Sequence, residues 1–215
     1  MTAEFYKFIL VTHRQNQSLA DYLQFIEICI SSGVTSVQLR EKNAKPCFLL
    51  AYARQLKALL DRYQIPLLIN DNLELALEIN AQGVHLGQTD LAPELARERL
   101  SHHKWIGLSI ETEEDLRRAN KVAVDYVAAS AVFPTEHKAN ICTHWGLDGL
   151  HTLAQSSRHP VIAIGGINQQ NIDEVMAAGA KGIAVIGALH QAKDPAAMAL
   201  RLRELIDSRS KNDHS

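Results

Sequence analysis

Short apolar runs and longer amphipathic segments alternate along the whole chain. Each apolar run is a few residues long and ends at a polar residue or a glycine. Between successive runs, apolar residues recur at the three- and four-residue spacing of a helix with one buried face. The apolar runs predict eight strands, at residues 5–11, 34–39, 67–69, 84–86, 105–108, 125–129, 161–164 and 182–186.

The order of these elements predicts the fold class. Eight strand–helix repeats in 215 residues, without a break in composition, are typical of an α/β protein with a single (β/α)8 TIM barrel. We assign residues 1–207 to the barrel and residues 208–215 to a polar C-terminal tail. A doubly wound open sheet is the alternative, but no GxGxxG motif follows the first strand.

Composition excludes several classes of partner. Hydrophobic residues make up 47% of the chain, and a formal net charge of −2 gives no electrostatic reason to bind nucleic acid or an anionic membrane. No apolar stretch is long enough to span a bilayer. Cys29, Cys47 and Cys142 show no CxxC spacing, which suits a reducing compartment. We therefore expect a cytoplasmic protein that acts on small molecules.

Two acids follow neighbouring predicted strands. Asp71 comes directly after the third strand, and Asp90 comes shortly after the fourth. Both lie past the carboxyl ends of strands, where ligands bind in α/β folds, and one or two carboxylates are what Mg²⁺ usually takes from a protein. Each acid also stands just before a predicted helix, so helix capping explains the spacing equally well. The spacing alone leaves both hypotheses open.

Cations and glycines follow other strands. Gln38, Arg40 and Lys42 alternate at the end of the second strand and so share one face, where they could hold a phosphate; an ion pair of Arg40 with Glu41 is the structural alternative. Gly165, Gly166 and Gly187 follow the last two strands, where barrels frequently bind phosphate, although tight turns also require glycine. Ser109 has no adjacent base, so it is expected to hydrogen-bond a ligand. Lys138 lies in the longest predicted loop, 131–145.

Five short strings, in register over nearly the whole chain, resemble the thiamine phosphate synthase family, which also includes thiazole tautomerases. They are QLREK (38–42), IND (69–71), GVHLGQTD (83–90), VFPT with Lys138 (132–138) and AIGGIN (163–168). Synthases of this family join a pyrimidine methyl diphosphate to a thiazole phosphate and release pyrophosphate. The resemblance also implies a possible homodimer.

The resemblance implies a role for each matching residue. Arg40, Lys42, Ser109 and Lys138 would be catalytic, and Asp71 with Asp90 would bind Mg²⁺. Ser109 would contact the pyrimidine. The substrate-binding set would comprise Gln38, Leu39, Arg40, Glu41, Lys42, Asn70 and Lys138 on the diphosphate side, and Thr135, Glu136, His137, Gly166, Ile186 and Gly187 on the thiazole phosphate side.

The chain departs from the family pattern mainly on the thiazole phosphate side. Ser130-Ala131 stands where glycine and Pro or His are usual, His137 replaces a threonine, and Gly187 replaces a serine. Glu111 also stands where a histidine often follows Ser109. We therefore keep two alternatives to the synthase: a thiazole tautomerase, which the two acids and Ala131 disfavour, and a non-catalytic barrel that binds phosphorylated ligands.

Overall fold

The computed structural model describes residues 5–42, 44–137 and 144–212, and it confirms the (β/α)8 barrel. Eight parallel strands pair in chain order, and the first pairs with the eighth to close the barrel. A closed barrel excludes the doubly wound open sheet. The strands are β1 Phe8–Val11, β2 Ser36–Leu39, β3 Leu67–Asn70, β4 Gly83–Leu86, β5 Trp105–Ile110, β6 Tyr126–Ser130, β7 Val161–Ile164 and β8 Gly182–Val185.

Helices follow each strand and pack outside the barrel. Their ends carry the signals expected from the sequence: Ser18 accepts a hydrogen bond from the backbone of Asp21, and Thr112 and Asp115 form a capping box. Pro46 occupies the first turn of its helix. The helices are α1 Leu19–Ser31, α2 Pro46–Arg62, α3 Leu73–Glu78, α4 Pro93–Arg99, α5 Glu113–Ala119, α6 Gly146–Ser156, α7 Ile172–Ala177, α8 Gly187–His190 and α9 Pro195–Asn212.

Two elements extend two or more residues past their predicted ends. β5 continues to Ile110, so Ser109 lies inside a strand rather than at its end. α9 continues to Asn212 and crosses the predicted boundary at residue 207. Its last turns are supported by the Arg203–Asp207 ion pair, with Nε and Oδ2 2.8 Å apart, and by a bond from Ser208 Oγ to the Leu205 carbonyl. Polar residues therefore extend this helix.

The apolar core has two layers. A large layer between the strands and the helices includes Leu10, Leu56 and Leu202. A smaller cluster fills the barrel interior and includes Ile9, Leu68 and Ile162. Cys29 is buried, Cys47 is exposed, both are free thiols, and Cys142 lies outside the described residues. Within the described ranges, no helix is long and apolar enough to cross a membrane.

Candidate active site

A cavity of about 880 Å³ opens at the carboxyl ends of the strands. Its walls come from the loops after most of the strands, so residues far apart in sequence face one another there. Lys138 lies outside the described residues. Of the candidate site residues, the cavity is lined by Gln38, Arg40, Lys42, Asn70, Asp71, Asp90, Ser109, Thr135, Glu136, His137, Gly166, Ile186 and Gly187.

Two candidates on the QLREK segment face away from this cavity. Leu39 is 2% exposed and packs in the outer core layer. Glu41 turns the same way, and its Oε1 accepts a hydrogen bond of 3.1 Å from the backbone N–H of Arg14. Alternation along the strand explains both positions, because only every second residue of β2 and its extension points inward. The structure therefore brings Gln38, Arg40 and Lys42 to the cavity, while Leu39 and Glu41 lie outside it.

Neither candidate acid caps a helix, so the capping hypothesis is wrong. Asn72 caps α3 by accepting a 2.9 Å bond from the N–H of Leu75, and Ala92 stands at the N-cap of α4. Asp71 instead adopts a left-handed backbone conformation, with φ 64°, and donates its N–H to the carbonyl of His85 at 2.8 Å. Asp90 Oδ2 accepts a 2.6 Å bond from the N–H of Gly87.

The two carboxyl groups meet each other in the cavity. Burial, together with the contact with the Asp90 carboxyl, raises the pKa of Asp71 to about 6. Lys42 and Arg40 oppose this rise without cancelling it. Two facing carboxylates that their neighbouring cations do not neutralise form a site of negative potential at the ends of β3 and β4.

Arg40 links the two halves of the cavity. Its guanidinium lies close enough to Asp71 to feel its charge, and Nη2 donates a 3.2 Å bond to the carbonyl of His137 in the loop after β6. Its backbone N–H donates to Oγ1 of the fully buried Thr12 at 2.8 Å. Burial lowers the pKa of Arg40, but the nearby carboxylates favour the charged form. Arg40 therefore provides a fixed cation between the acids and the loop after β6.

The backbone conformation after β7 requires glycine at positions 165 and 166. Gly165 and Gly166 have φ values of 95° and 67°, a region that other residues rarely adopt. A Cβ at Gly165 would also lie 2.3 Å from the Cβ of Ala131, and one at Gly166 would lie 2.7 Å from the Cβ of Phe133. The tight-turn explanation is therefore sufficient for both, and their contribution to ligand binding stays a prediction.

The reason for a glycine at 187 is different: the imidazole of His137 occupies the space that a side chain at this position would need. A Cβ built at Gly187 would lie 3.1 Å from His137 Nε2, tighter than an ordinary contact. His137 in turn stacks edge-on against His13, with ring centroids 4.8 Å apart. Burial lowers the pKa of His137, and His13 and Arg40 lower it further. The two residues that depart from the family pattern here, His137 and Gly187, are thus in contact.

Among the cavity residues that sequence reasoning missed is His85 on β4. Its Nε2 lies 2.9 Å from Ser109 Oγ, and its Nδ1 lies 2.9 Å from the hydroxyl of Tyr126. The side chain is 7% exposed and lines the cavity. The available signal was a titratable residue in the middle of the apolar run Gly83–Leu86, where a purely structural strand would carry an aliphatic residue.

The fold and the site together define a (β/α)8-barrel enzyme with paired carboxylates and a partly buried arginine at the carboxyl ends of its strands. Residues 8–189 match the family model described as thiamine monophosphate synthase. The chain is 43% identical to a thiamine-phosphate synthase of Chlamydia abortus, over 96% of this chain and 98% of that protein. A thiamine-phosphate synthase of Vibrio campbellii is 41% identical over 94% and 98% of the two chains.

A solved structure agrees with the sequence relatives. Thiamine phosphate pyrophosphorylase from Pyrococcus furiosus superposes with a TM-score of 0.85 at 32% identity, covering 96% of this chain and 98% of that one. The chain belongs to the thiamine monophosphate synthase family.

Proposed function

We propose that the protein condenses 4-amino-2-methyl-5-(diphosphomethyl)pyrimidine with thiazole phosphate, to give thiamine phosphate and pyrophosphate. The family supports this transferase activity. The observation that carries the proposal is the Asp71–Asp90 pair, which faces Arg40 and Lys42 in one cavity. A leaving diphosphate needs its charge neutralised, which a metal ion held by the two acids would do together with Arg40 and Lys42.

Asp71 and Asp90 would hold Mg²⁺. Within residues 5–42, 44–137 and 144–212, no three His, Cys, Asp or Glu side chains are grouped to hold a metal ion. Two carboxylates nevertheless fit Mg²⁺, which keeps several waters and takes substrate phosphate oxygens as its remaining ligands. The raised pKa of Asp71 supports this fit, because a bound cation would relieve both the burial of this carboxylate and its repulsion by Asp90. When bound, the ion would supply positive charge to the diphosphate.

The diphosphate would lie between the acids and the cations. Arg40 can bind two phosphate oxygens with its planar fork, and Lys42 adds a compact charge from the same face of the β2 extension. Asn70, the last residue of β3, lines the cavity beside Asp71 and would donate an amide hydrogen. Lys138 would add a third cation from the loop after β6. These cations stabilise the leaving group and so favour cleavage of its bond to the methylene carbon.

The thiazole phosphate would bind across the cavity, among Thr135, His137, Gly166 and the turn at Ile186–Gly187. A neutral imidazole can donate one hydrogen bond to a phosphate, and a bound dianion would favour the charged form of His137. Because His137 occupies the space in front of Gly187, it would contact the ligand in place of a side chain at 187.

No protein nucleophile is required for this reaction. The amino group of the pyrimidine can stabilise positive charge on the methylene as the carbon–oxygen bond breaks, and the thiazole nitrogen can then attack that carbon. The protein's part is to hold both substrates in line and to stabilise the departing charge. Ser109 would hydrogen-bond the pyrimidine rather than attack it.

Pyrophosphate release with both substrates, measured with and without Mg²⁺, tests the proposal. We expect release only when both substrates and Mg²⁺ are present, and we expect Asp71→Asn to lose at least 100-fold in activity, about 3 kcal/mol of transition-state stabilisation. Asp61→Asn is the matched control, because this exposed carboxylate pairs with Lys57 near the end of α2, far from the cavity.

Other outcomes would overturn the proposal in recognisable ways. Binding of either phosphorylated ligand in a calorimeter, with no pyrophosphate release, would identify a non-catalytic barrel. Isomerisation of the thiazole without metal or pyrimidine diphosphate would identify a tautomerase. Wild-type turnover by Asp71→Asn would show that Asp71 is not needed to bind the metal ion. The homodimer stays a prediction that light scattering can test.

A further inference from the structure

Four polar side chains form a continuous line through the apolar interior of the barrel. The Gln38 side chain lies beside the hydroxyl of Tyr126, this hydroxyl lies 2.9 Å from His85 Nδ1, and His85 Nε2 lies 2.9 Å from Ser109 Oγ. Gln38, Tyr126 and His85 are 4%, 0% and 7% exposed. Buried polar groups are stable only when they satisfy one another, so these four side chains depend on a common arrangement.

The register of three strands explains how Tyr126 reaches His85. His85 on β4 pairs with Gly107 on β5, and Gly107 pairs with Tyr126 on β6, so the three residues form one row across the sheet. Gly107 contributes no side chain to this row. A Cβ built there would lie 2.1 Å from Cζ and 2.3 Å from the hydroxyl oxygen of Tyr126. The glycine therefore leaves the gap through which the tyrosine hydroxyl crosses one strand and meets the histidine.

Which group donates each hydrogen bond, from Tyr126 to His85 and from His85 to Ser109, depends on how Gln38 contacts Tyr126. Burial raises the pKa of Tyr126, so the phenol is neutral and keeps its proton, and the neighbouring Gln38 side chain opposes this rise. If the Gln38 amide donates to the phenol oxygen, the phenol proton is directed to His85 Nδ1. An imidazole that accepts at Nδ1 carries its proton on Nε2, and it donates this proton to Ser109 Oγ. The Ser109 hydroxyl proton then turns toward the cavity.

We propose that Tyr126 is a positioning residue, which acts through His85 to present the Ser109 hydroxyl as a hydrogen-bond donor to the substrate. The identity of the acceptor, a ring nitrogen of the pyrimidine, rests on the proposed function. The line itself does not, because it is complete in the ligand-free protein. Tyr126 lies below the cavity and does not line it, so its role in the reaction is indirect.

The tautomer of His85 in the wild-type protein is the first test. Nitrogen-15 NMR of histidine-labelled protein above the titration range should show His85 protonated on Nε2 and not on Nδ1. Tyr126→Phe removes the hydroxyl and keeps the ring that packs against Phe5, and it should leave His85 as a mixture of both tautomers. A wild-type His85 protonated on Nδ1, or an unchanged spectrum in Tyr126→Phe, would overturn the proposal. The wild-type measurement does not depend on the variant folding.

Kinetics provide the second test. Tyr126→Phe should lower kcat/KM for the pyrimidine diphosphate roughly five- to tenfold, the scale of one neutral hydrogen bond, and leave KM for the thiazole phosphate unchanged. Ser109→Ala should lower it at least as much, and adding Tyr126→Phe to Ser109→Ala should change nothing further. Tyr63→Phe, which loses an exposed hydroxyl bonded to Glu27, is the matched control and should behave as wild type.

The outcomes separate this proposal from the proposed function. A shifted tautomer in Tyr126→Phe with wild-type kinetics, or additive losses in the double variant, would overturn the positioning role while pyrophosphate release still stands. Absence of pyrophosphate release by the wild-type protein would refute the synthase. In that case binding of the pyrimidine diphosphate to wild type and Tyr126→Phe, measured by calorimetry, should show the same five- to tenfold loss, and equal affinities would refute the positioning role.

Discussion

At the scale of single residues, Asp71 is held in an environment that opposes its charge. Its pKa rises from an ordinary 3.8 to about 6, because it is partly buried and faces Asp90. The folded protein therefore binds a proton more tightly than the unfolded chain does. Between about pH 4 and pH 6 this group makes the folded state less stable as the pH rises, and above pH 6 the full penalty is present.

Asp71→Asn should therefore stabilise the metal-free protein at pH 7.5 while it abolishes activity. Asparagine suits the left-handed backbone at this position better than alanine would. Thermal unfolding in EDTA should show a higher midpoint for Asp71→Asn than for wild type, and added Mg²⁺ should raise only the wild-type midpoint. Asp61→Asn should leave the midpoint nearly unchanged, since its ion pair is exposed. A lower midpoint for Asp71→Asn in EDTA would contradict this assignment.

His137 and Gly187 are predicted to work as a pair. Gly187→Ser would place a side chain against His137 Nε2, so we expect kcat/KM for the thiazole phosphate to fall about fivefold, a coupling of about 1 kcal/mol. His137→Thr in the same protein removes the crowding and supplies a hydroxyl, and it should restore most of the loss. Steady-state kinetics of both single variants and the double variant measure the coupling. Additive effects would show that the two positions act independently.

At the scale of elements, α8 is joined to α1 by a partly buried histidine. His190 Nδ1 donates to the carbonyl of Ile186 at 2.7 Å, and its Nε2 accepts from the hydroxyl of Tyr22 at 2.6 Å. The same hydroxyl accepts a 2.7 Å hydrogen bond from the backbone N–H of His13. Burial, with smaller contributions from His13 and His137, lowers the pKa of His190 to about 4, although the hydrogen bond to the Ile186 carbonyl opposes this shift. The contacts that join α8 to α1 through His190 therefore require a neutral imidazole.

His190 should make the protein less stable in acid. The unfolded chain binds a proton at this residue near pH 6.5 and the folded chain only near pH 4, so stability is complete above pH 6.5 and is lost as the pH falls through this window. The loss is at most about 3 kcal/mol. Urea unfolding from pH 7 to pH 4 should show a shallower pH dependence for His190→Gln than for wild type. Parallel curves for the two proteins would refute the prediction, while His159→Gln, at the turn before β7, serves as the control.

The elements also show what the sequence could and could not predict. The alternation of strands and helices and the inward alternation of Gln38 and Arg40 follow from local chemistry, and the structure confirms them. The helix caps at Ser18 and Thr112 are local in the same way. His85 was missed because its role depends on the row that it forms with two other strands. Register between strands is a property of the closed barrel and of the gap at Gly107, which no single apolar run encodes.

At the scale of the whole molecule, the barrel closes where β8 meets β1. Ile183 pairs with Phe8 at this seam, and Gly182 precedes it at the start of β8. A Cβ at Gly182 would lie 2.1 Å from the carbonyl oxygen of Tyr6 and 2.8 Å from the Cα of Lys7. Both atoms belong to the backbone, so no rotation of a side chain can relieve the contact. Any side chain at 182 must therefore push the first and last strands apart.

Gly182→Ala should accordingly destabilise the whole barrel, by about 3 kcal/mol, because overpacking against backbone cannot relax locally. For a protein of 215 residues this is a fall of roughly 6–12 °C in Tm, measurable by calorimetry. Gly146→Ala is the control: its φ of 59° disfavours alanine by about 1 kcal/mol, but among the described residues no atom outside its own helix backbone and chain neighbours lies within 4 Å of the new Cβ. Equal losses in the two variants would show that backbone conformation, rather than closure of the seam, requires glycine at 182.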